Sequence, residues 1–541
     1  MLHRKRLPRL SCLAMLGIVL SSMLLSCGGN GSMSSGGGTG DPPPAPSAPP
    51  VLTAANVDAV VHAAVQAVNV PIVVAVTDRL GNILAVFDTT GAPATGDGNF
   101  GTTPDANNLA VGLARTAAFF SNNQAPLSSR TVRYISGIHF PPGVAGTANA
   151  PLYGIENTNR GCSFNTTFLP GQAIPPATLI NGSTPGLGII TGKANVYDSD
   201  PNAVNPGGVP LFENGTLIGG VGVVASSPDV AEYAAYSGAV GAGFGANPAP
   251  PGVVVINGIA LPFVNQTTAP SGITSGPFNG AYSIGPAASS GPPPEGYLVG
   301  PAASAYGGLS QDDVKAIVGQ AVATANITRA VIRLPIGLTA RMMIAVADLD
   351  GNLLALYRMR DATVFSIDVA VAKARNVIYF SSMPGLPGAY ADSSPGSTDL
   401  PGIPAGTAIT NRTIGFGAQP LFPPGIDNSG AGPFFNVYLN DTANACTQGT
   451  QPPNPNQNGI VFFPGSAPLY RNGMLVGGLG VSGDGVDQDD FVTAGGTALQ
   501  TLTDPSDSGH GFEAPTAIRA DQIVIQNVRL PYLKFPRNPT Q

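Results

Sequence analysis

The sequence predicts an α+β fold built twice: two homologous domains, each an antiparallel sheet flanked by helices, fused in one chain of 541 residues. Three observations predict it. The stretch VPLFENGTLIGGVGV, from Val209, returns as APLYRNGMLVGGLGV from Ala467. Asn-Gly between apolar runs signals a hairpin, because a type I′ turn needs positive φ at both central residues. Helix-period and strand-period segments also follow one order in both halves, α–β–β–α–loop–β–β–α–β. Finally, 71 Gly and 53 Pro supply many turns and long loops.

The chain opens on a segment that is not part of this fold. Arg4, Lys5, Arg6 and Arg9 precede an apolar run, 13–25, that is too short to span a membrane. Its end, Leu24-Leu25-Ser26-Cys27, resembles the bacterial lipobox, which implies cleavage before Cys27 and lipid on its thiol. Residues 1–26 are therefore expected to be a lipoprotein signal peptide, and 27–50 a Gly/Ser/Pro tether. The expected location is the cell envelope, lipid-anchored, at the outer membrane or facing the periplasm. The membrane would be a partner only through this lipid.

The first domain is expected over 51–269. Its opening helix carries Val57, Val60, Val61, Ala64, Val65 and Val68 at helical spacing, with Thr53 or Asn56 as cap. The second domain is expected over 309–541, opening with Ser310 as N-cap and Asp312 and Asp313 in the first turn. Each opening helix is followed by a hairpin containing AV-x-D-x-x-GN. Its Asp accepts turn N–H groups and its Gly supplies positive φ. A second helix follows, holding Ala114-Arg115 in one half and Ala374-Arg375 in the other. Long loops with a shared Arg-Thr and FPPG come next, then the quoted hairpin and a small-residue helix. Each half closes on a β-rich run, VVVINGIALPFV or IVIQNVRLPYL. Residues 270–308, rich in Gly, Pro and Ser, read as a linker.

Composition narrows the function. The net charge of −7 argues against a nucleic-acid partner, which would call for a basic face. Cys12 would leave with the signal and Cys27 would be lipidated. That leaves Cys162 and Cys446, which stand at comparable distances after the FPPG motifs. Export permits a disulfide between them across the pseudo-two-fold; two separate thiols are the alternative. No CxxC or Cys/His cluster proposes a zinc site. The Gly-Gly-x-Gly runs are not phosphate loops, since no Lys-Ser/Thr follows and they lie within a strand pattern, where Gly marks a bend or a close backbone approach.

The helix, the AV-x-D-x-x-GN hairpin, the KAR-type helix and PLYRNGMLVGGLGVSG together resemble the GlcG/HbpS-like family, the haem-degrading or haem-binding domain. The match is best in the second half, at Asp348, Gly351, Lys373-Ala374-Arg375 and 473–483. In the first half Leu113 replaces Lys373, and SSPDVAEY replaces SGDGVDQDDF. Insertions around 140–206 and 384–465 exceed a compact family domain. The resemblance implies haem, or a related planar or small anionic ligand, as cofactor and partner. Fusion of two copies implies a built-in pseudo-dimer on which an oligomer could form.

Haem calls for an apolar slot, an axial ligand and cations for its propionates. Of the three His outside the signal, His139 in GIHFPPG is the first choice of ligand, ahead of His62 and His510; for each of them a surface or structural role is the plainer reading, and Tyr, Met or Thr remain alternative ligands. Lys373, Arg375, Arg115, Arg130 and Arg412 are the candidate cations. For Arg115 and Arg375 the competing reading is that each fixes its helix on the sheet. Asp484, Asp487, Asp489 and Asp490 could hold a hard cation, but a solvated helix N-terminus is the plainer reading. The metal, if any, is not specified. No GxSxG or Cys/His pair proposes a nucleophile. Three functions stay open: a binder of haem or a similar ligand for scavenging or sensing, an enzyme acting on haem or a small oxo- or hydroxy-acid, and a non-catalytic interaction module.

Overall fold

Each half opens on a helix closed by a capping box. Thr53 caps α1 (Ala54–Gln66) and Ser310 caps α5 (Gln311–Ile327). In both, the side chain satisfies an N–H that the helix leaves open. The computed structural model describes residues 49–169, 178–193, 195–246, 254–388, 399–499 and 511–540. The signal, Cys27, nearly all of the tether and His510 lie outside the described residues. No helix among the described residues is long and apolar enough to cross a membrane.

In the first half, α1 leads to β1 (Ile72–Asp78), β2 (Ile83–Thr89), α2 (Ala106–Phe120), the short α3 (Ser129–Tyr134), β3 (Gly208–Glu213), β4 (Thr216–Ala225) and α4 (Pro228–Gly241). A small hairpin, β5 (Val255–Ile256) and β6 (Ile259–Ala260), and then β7 (Gly280–Ile284) complete it. The second half runs β8 (Gly296–Val299), α5, β9 (Met342–Ala347), β10 (Leu353–Arg358), α6 (Phe365–Phe380), α7 (Asn411–Gly417) and α8 (Phe435–Ala443). It continues through β11 (Ser466–Arg471), β12 (Met474–Gly483), α9 (Val486–Ala498) and the hairpin β13 (Val524–Ile525) and β14 (Val528–Arg529). The sheets are β3-β4-β1-β2-β7 and β11-β12-β9-β10-β8, antiparallel throughout and identical in plan.

Two expectations are corrected. Residues 270–308 are not only a linker, because β7 and β8 within them form the fifth strand of each sheet, on β2 and β10. The closing β-rich runs do not enter those sheets; each folds as its own two-stranded hairpin.

The turn chemistry is as expected. Asn214 and Gly215 take φ of 48° and 75°, and Asn472 and Gly473 take 50° and 77°. Asp78 and Asp348 each accept two backbone N–H groups inside their own turns. The Gly-Gly-x-Gly strands allow a helix to lie directly on backbone. A Cβ on Gly222 would sit 1.9 Å from the Ala110 carbonyl oxygen, and one on Gly480 would sit 2.1 Å from that of Ala370. The glycines thus set how closely α2 approaches β4 and α6 approaches β12. The other face of the first sheet is covered by α1 and α4 through Val60, Val61, Ala234 and Ala235.

The halves are joined along a seam. Phe120 and Phe365 stack at 4.1 Å between ring centres, and the Val364 N–H donates to the Phe119 carbonyl at 3.1 Å. The two long insertions meet there as well. Tyr153 stacks on Tyr438, Arg160 donates to the Asp441 carbonyl, and Cys162 and Cys446 form a disulfide.

Candidate functional site: a cleft between the halves

The cations singled out in the sequence are engaged within the fold. Arg115 Nε donates to the Gly81 carbonyl and Arg375 Nε to the Gly351 carbonyl, each at 2.9 Å. Each ties its helix to the hairpin turn of its own half. Arg130 makes a bidentate pair with Glu232 at 2.7 and 2.8 Å. Arg412 does the same work on α9, reaching Asp490 at 2.5 Å and Asp487 at 2.6 Å. Lys373 is fully buried, 3.0 Å from Asp489 and 2.8 Å from the Val481 carbonyl. Burial pushes the Lys373 amine down, opposed by the nearby Asp489. Burial likewise raises the Asp489 carboxyl, to about 7.

The positions aligned with Lys373 and Asp489 are Leu113 and Ala231. Their equivalence is geometric: a Cβ on Gly207 would face Ala231, and one on Gly465 would face Asp489 and Lys373. An apolar pair in one half therefore occupies the place of an ion pair in the other. The missing lysine of the first half is a core exchange.

His139 bridges the insertions. Its Nδ1 lies 2.9 Å from Ser199 Oγ and its Nε2 lies 2.7 Å from Asp427 of the second half. Both ring nitrogens are taken up, leaving none for iron. His62 stacks on Phe278. The acidic cluster is not a solvated helix end. Asp484, Asp489 and Asp490 are buried, and the four carboxylates are paired with Arg333, Lys373, Arg412 and Lys534.

Among the described residues, an opening that can take a ligand lies elsewhere, where the halves meet. It is a cleft of about 630 Å³, a size typical of small-molecule sites. The first half supplies Phe120, Leu127, Ile135 and Leu152, and the tip of the β5–β6 hairpin. The second half supplies Ile332, Ile336, Phe365, Val486 and the segment Lys534-Phe535-Pro536-Arg537. Arg329, Lys534 and Arg537 bring positive charge to this partly apolar space, and Asp487 brings one carboxylate. Lys534 is 2.9 Å from Asp487. Among the described residues, neither the Arg329 nor the Arg537 guanidinium has a hydrogen-bonded or ion-paired partner. An apolar slot with basic groups suits a flat, largely apolar molecule carrying carboxylates.

Sequence reasoning missed these three cations. The only signal was KFPR at 534–537, a basic run in a chain with 10% charged residues.

Duplicated antiparallel sheets, each backed by a helix lying on a glycine-rich strand, define this as an α+β protein of the paired-domain kind. Residues 309–498 match the family described as haem degrading protein HbpS-like. Two solved structures are similar to the chain. One is the crystal structure of a PduOC complex with haem, 20% identical, spanning 38% of this chain and 98% of that one, with a TM-score of 0.22. The other is the Klebsiella pneumoniae protein ORFY, 16% identical, spanning 36% of this chain and 90% of that one, also with a TM-score of 0.22. No curated protein matches the chain.

Proposed function

We propose that the chain binds a planar, apolar, carboxylate-bearing ligand in the cleft between its halves, with haem the leading candidate. The observation that carries this reading is the 630 Å³ apolar cleft with Arg329 and Arg537 at its edge. The haem-degrading description of the family matching residues 309–498 supports it. The fit to haem is partial. Apolar walls suit a porphyrin face and the guanidinium groups suit propionates. Among the described residues, no His, Cys, Met or Tyr lines the cleft, so none of them supplies an ordinary axial side-chain ligand there. The cleft therefore recognises the macrocycle and its carboxylates rather than the iron.

The test is a titration of the purified protein with haemin and with iron-free protoporphyrin IX, followed by absorbance and tyrosine fluorescence. Both should saturate, with affinities within about tenfold of each other. His139→Ala should leave the haemin affinity within about twofold. A low-spin Soret spectrum that His139→Ala abolishes would place the ligand elsewhere. Free-haemin spectra throughout would remove haem.

In the same reading the chain is held at the cell envelope by lipid on Cys27. The Leu-Leu-Ser-Cys sequence behind a basic, apolar leader supports this. Labelled palmitate should enter the parent protein and not Cys27→Ser. Equal incorporation, or none in either, would refute the anchor.

A further inference from the structure

The two halves hold their C-terminal tails by the same hydrogen bonds. Ser128 and Thr131 donate to the carbonyls of Phe263 and Pro262. Thr410 and Thr413 donate to those of Tyr532 and Pro531. The carboxylate that pairs with the Arg-Thr arginine then accepts the next N–H: Glu232 from Asn265, and Asp490 from Lys534. These bonds set the register without appeal to alignment. Asn265 stands where Lys534 stands, and three residues on Thr268 stands where Arg537 stands.

The third cation has no counterpart at all. Arg329 lies between α5 and β9 in a stretch, 328–341, that is much longer than the 67–71 connection between α1 and β1. All three positive side chains of the cleft therefore belong to the second half. None of Arg329, Lys534 and Arg537 falls both inside the matched family domain and on a repeated element: Arg329 is in the unrepeated stretch, and the other two lie beyond residue 498. The apolar walls from Phe120, Leu127 and Leu152 come from the other half.

We propose that residues 534–537, with Arg329, are the specificity-determining rim of a single anion-selective site, so that the chain binds one carboxylate ligand per molecule despite its duplication. The pseudo-symmetric place in the first half, with Asn265 and Thr268, does not select anions. This inference rests on the ligand reading above, but its test does not rest on haem. Neutralising the rim leaves the apolar walls in place. Affinity for an apolar anion falls, while affinity for an uncharged apolar molecule stays.

The experiment compares the parent with Lys534→Asn/Arg537→Thr, which gives the second tail the side chains of the first. Three probes are titrated: haemin, haemin dimethyl ester, and anilinonaphthalene sulfonate as an unrelated aromatic anion. The parent should bind each anion at one equivalent. The variant should lose at least about tenfold in affinity for both anions and change little for the ester. Circular dichroism and melting of the variant check that it folds. If haemin fails but the sulfonate binds once and is lost in the variant, the rim stands and haem falls. Two equivalents of an anion in the parent would overturn the proposal. So would equal loss for the ester, unchanged anion affinity in the variant, or failure of both anions to bind.

Discussion

Replacing Lys373 with Leu should destabilise the protein by about 3–5 kcal/mol, because it leaves Asp489 buried without its cation. Lys373 and Asp489 are 0% and 2% exposed and 3.0 Å apart. The Lys373 amine also lies 4.9 Å from the centre of the Phe463 ring, and Asp489 Oδ1 already lacks a hydrogen-bond partner. Without the ammonium, Asp489 must either stay charged in an apolar surround or take up a proton. The first half shows how the same place is built without charge, with Leu113 and Ala231. Adding Asp489→Ala to Lys373→Leu should therefore recover most of the loss, to within about 1 kcal/mol of the parent. Urea unfolding of the parent, both single variants and the double gives the coupling. If the second substitution adds to the loss of the first, the two halves do not solve this position interchangeably.

Removing Asp361 should loosen the seam by a similar amount. This residue of the second half accepts from Arg79 of the first half at 2.6 Å and from Arg333 at 2.7 Å, and also from the Asn123 N–H at 3.2 Å. Burial opposes its ionisation, but Arg79 and Arg333 outweigh burial and hold its carboxyl below the usual aspartate range. Asp361→Ala strands the almost wholly buried Arg79 guanidinium and takes one carboxylate from Arg333, which keeps Asp484 and Gln124. The expected cost is about 3–5 kcal/mol, with Asp361→Asn intermediate because its amide oxygen still accepts. Calorimetry should show a lower midpoint, and two resolved transitions as the halves lose their common unfolding. An alanine variant that melts with the parent would show that the stacked aromatics and the Cys162–Cys446 bridge hold the seam by themselves.

Much of the fold was legible because its signals are local. A helix declares itself by caps and period, as at Thr53 and Ser310. A hairpin does so by Asn-Gly, as at Asn214 and Asn472. The runs ending at Gly222 and Gly480 marked either a bend or a close backbone approach, and the helices above them show that it is the approach. Repetition gave each signal twice, which is why the order of elements could be read from 541 residues without a template.

The rest depends on partners that local sequence does not name. β7, GAYSI, is largely exposed at a sheet edge, so it carries no buried alternation by which to be read as a strand. Only pairing with the distant β2 makes it one. His139 stood first among the histidines as a candidate ligand, but Asp427 and Ser199 already use both its nitrogens. Lys373 was a candidate partner for a ligand carboxylate, whereas burial made it half of a core ion pair with Asp489. The cleft itself is assembled from side chains as far apart as Phe120 and Arg537. The sequence by itself determined the duplicated α+β plan, its turns and the glycine-lined strands, because these follow from periodicity and backbone conformation. Tertiary structure alone decided which charges are spent inside the fold and which face the cleft, because pairing, burial and access are properties of the space between elements.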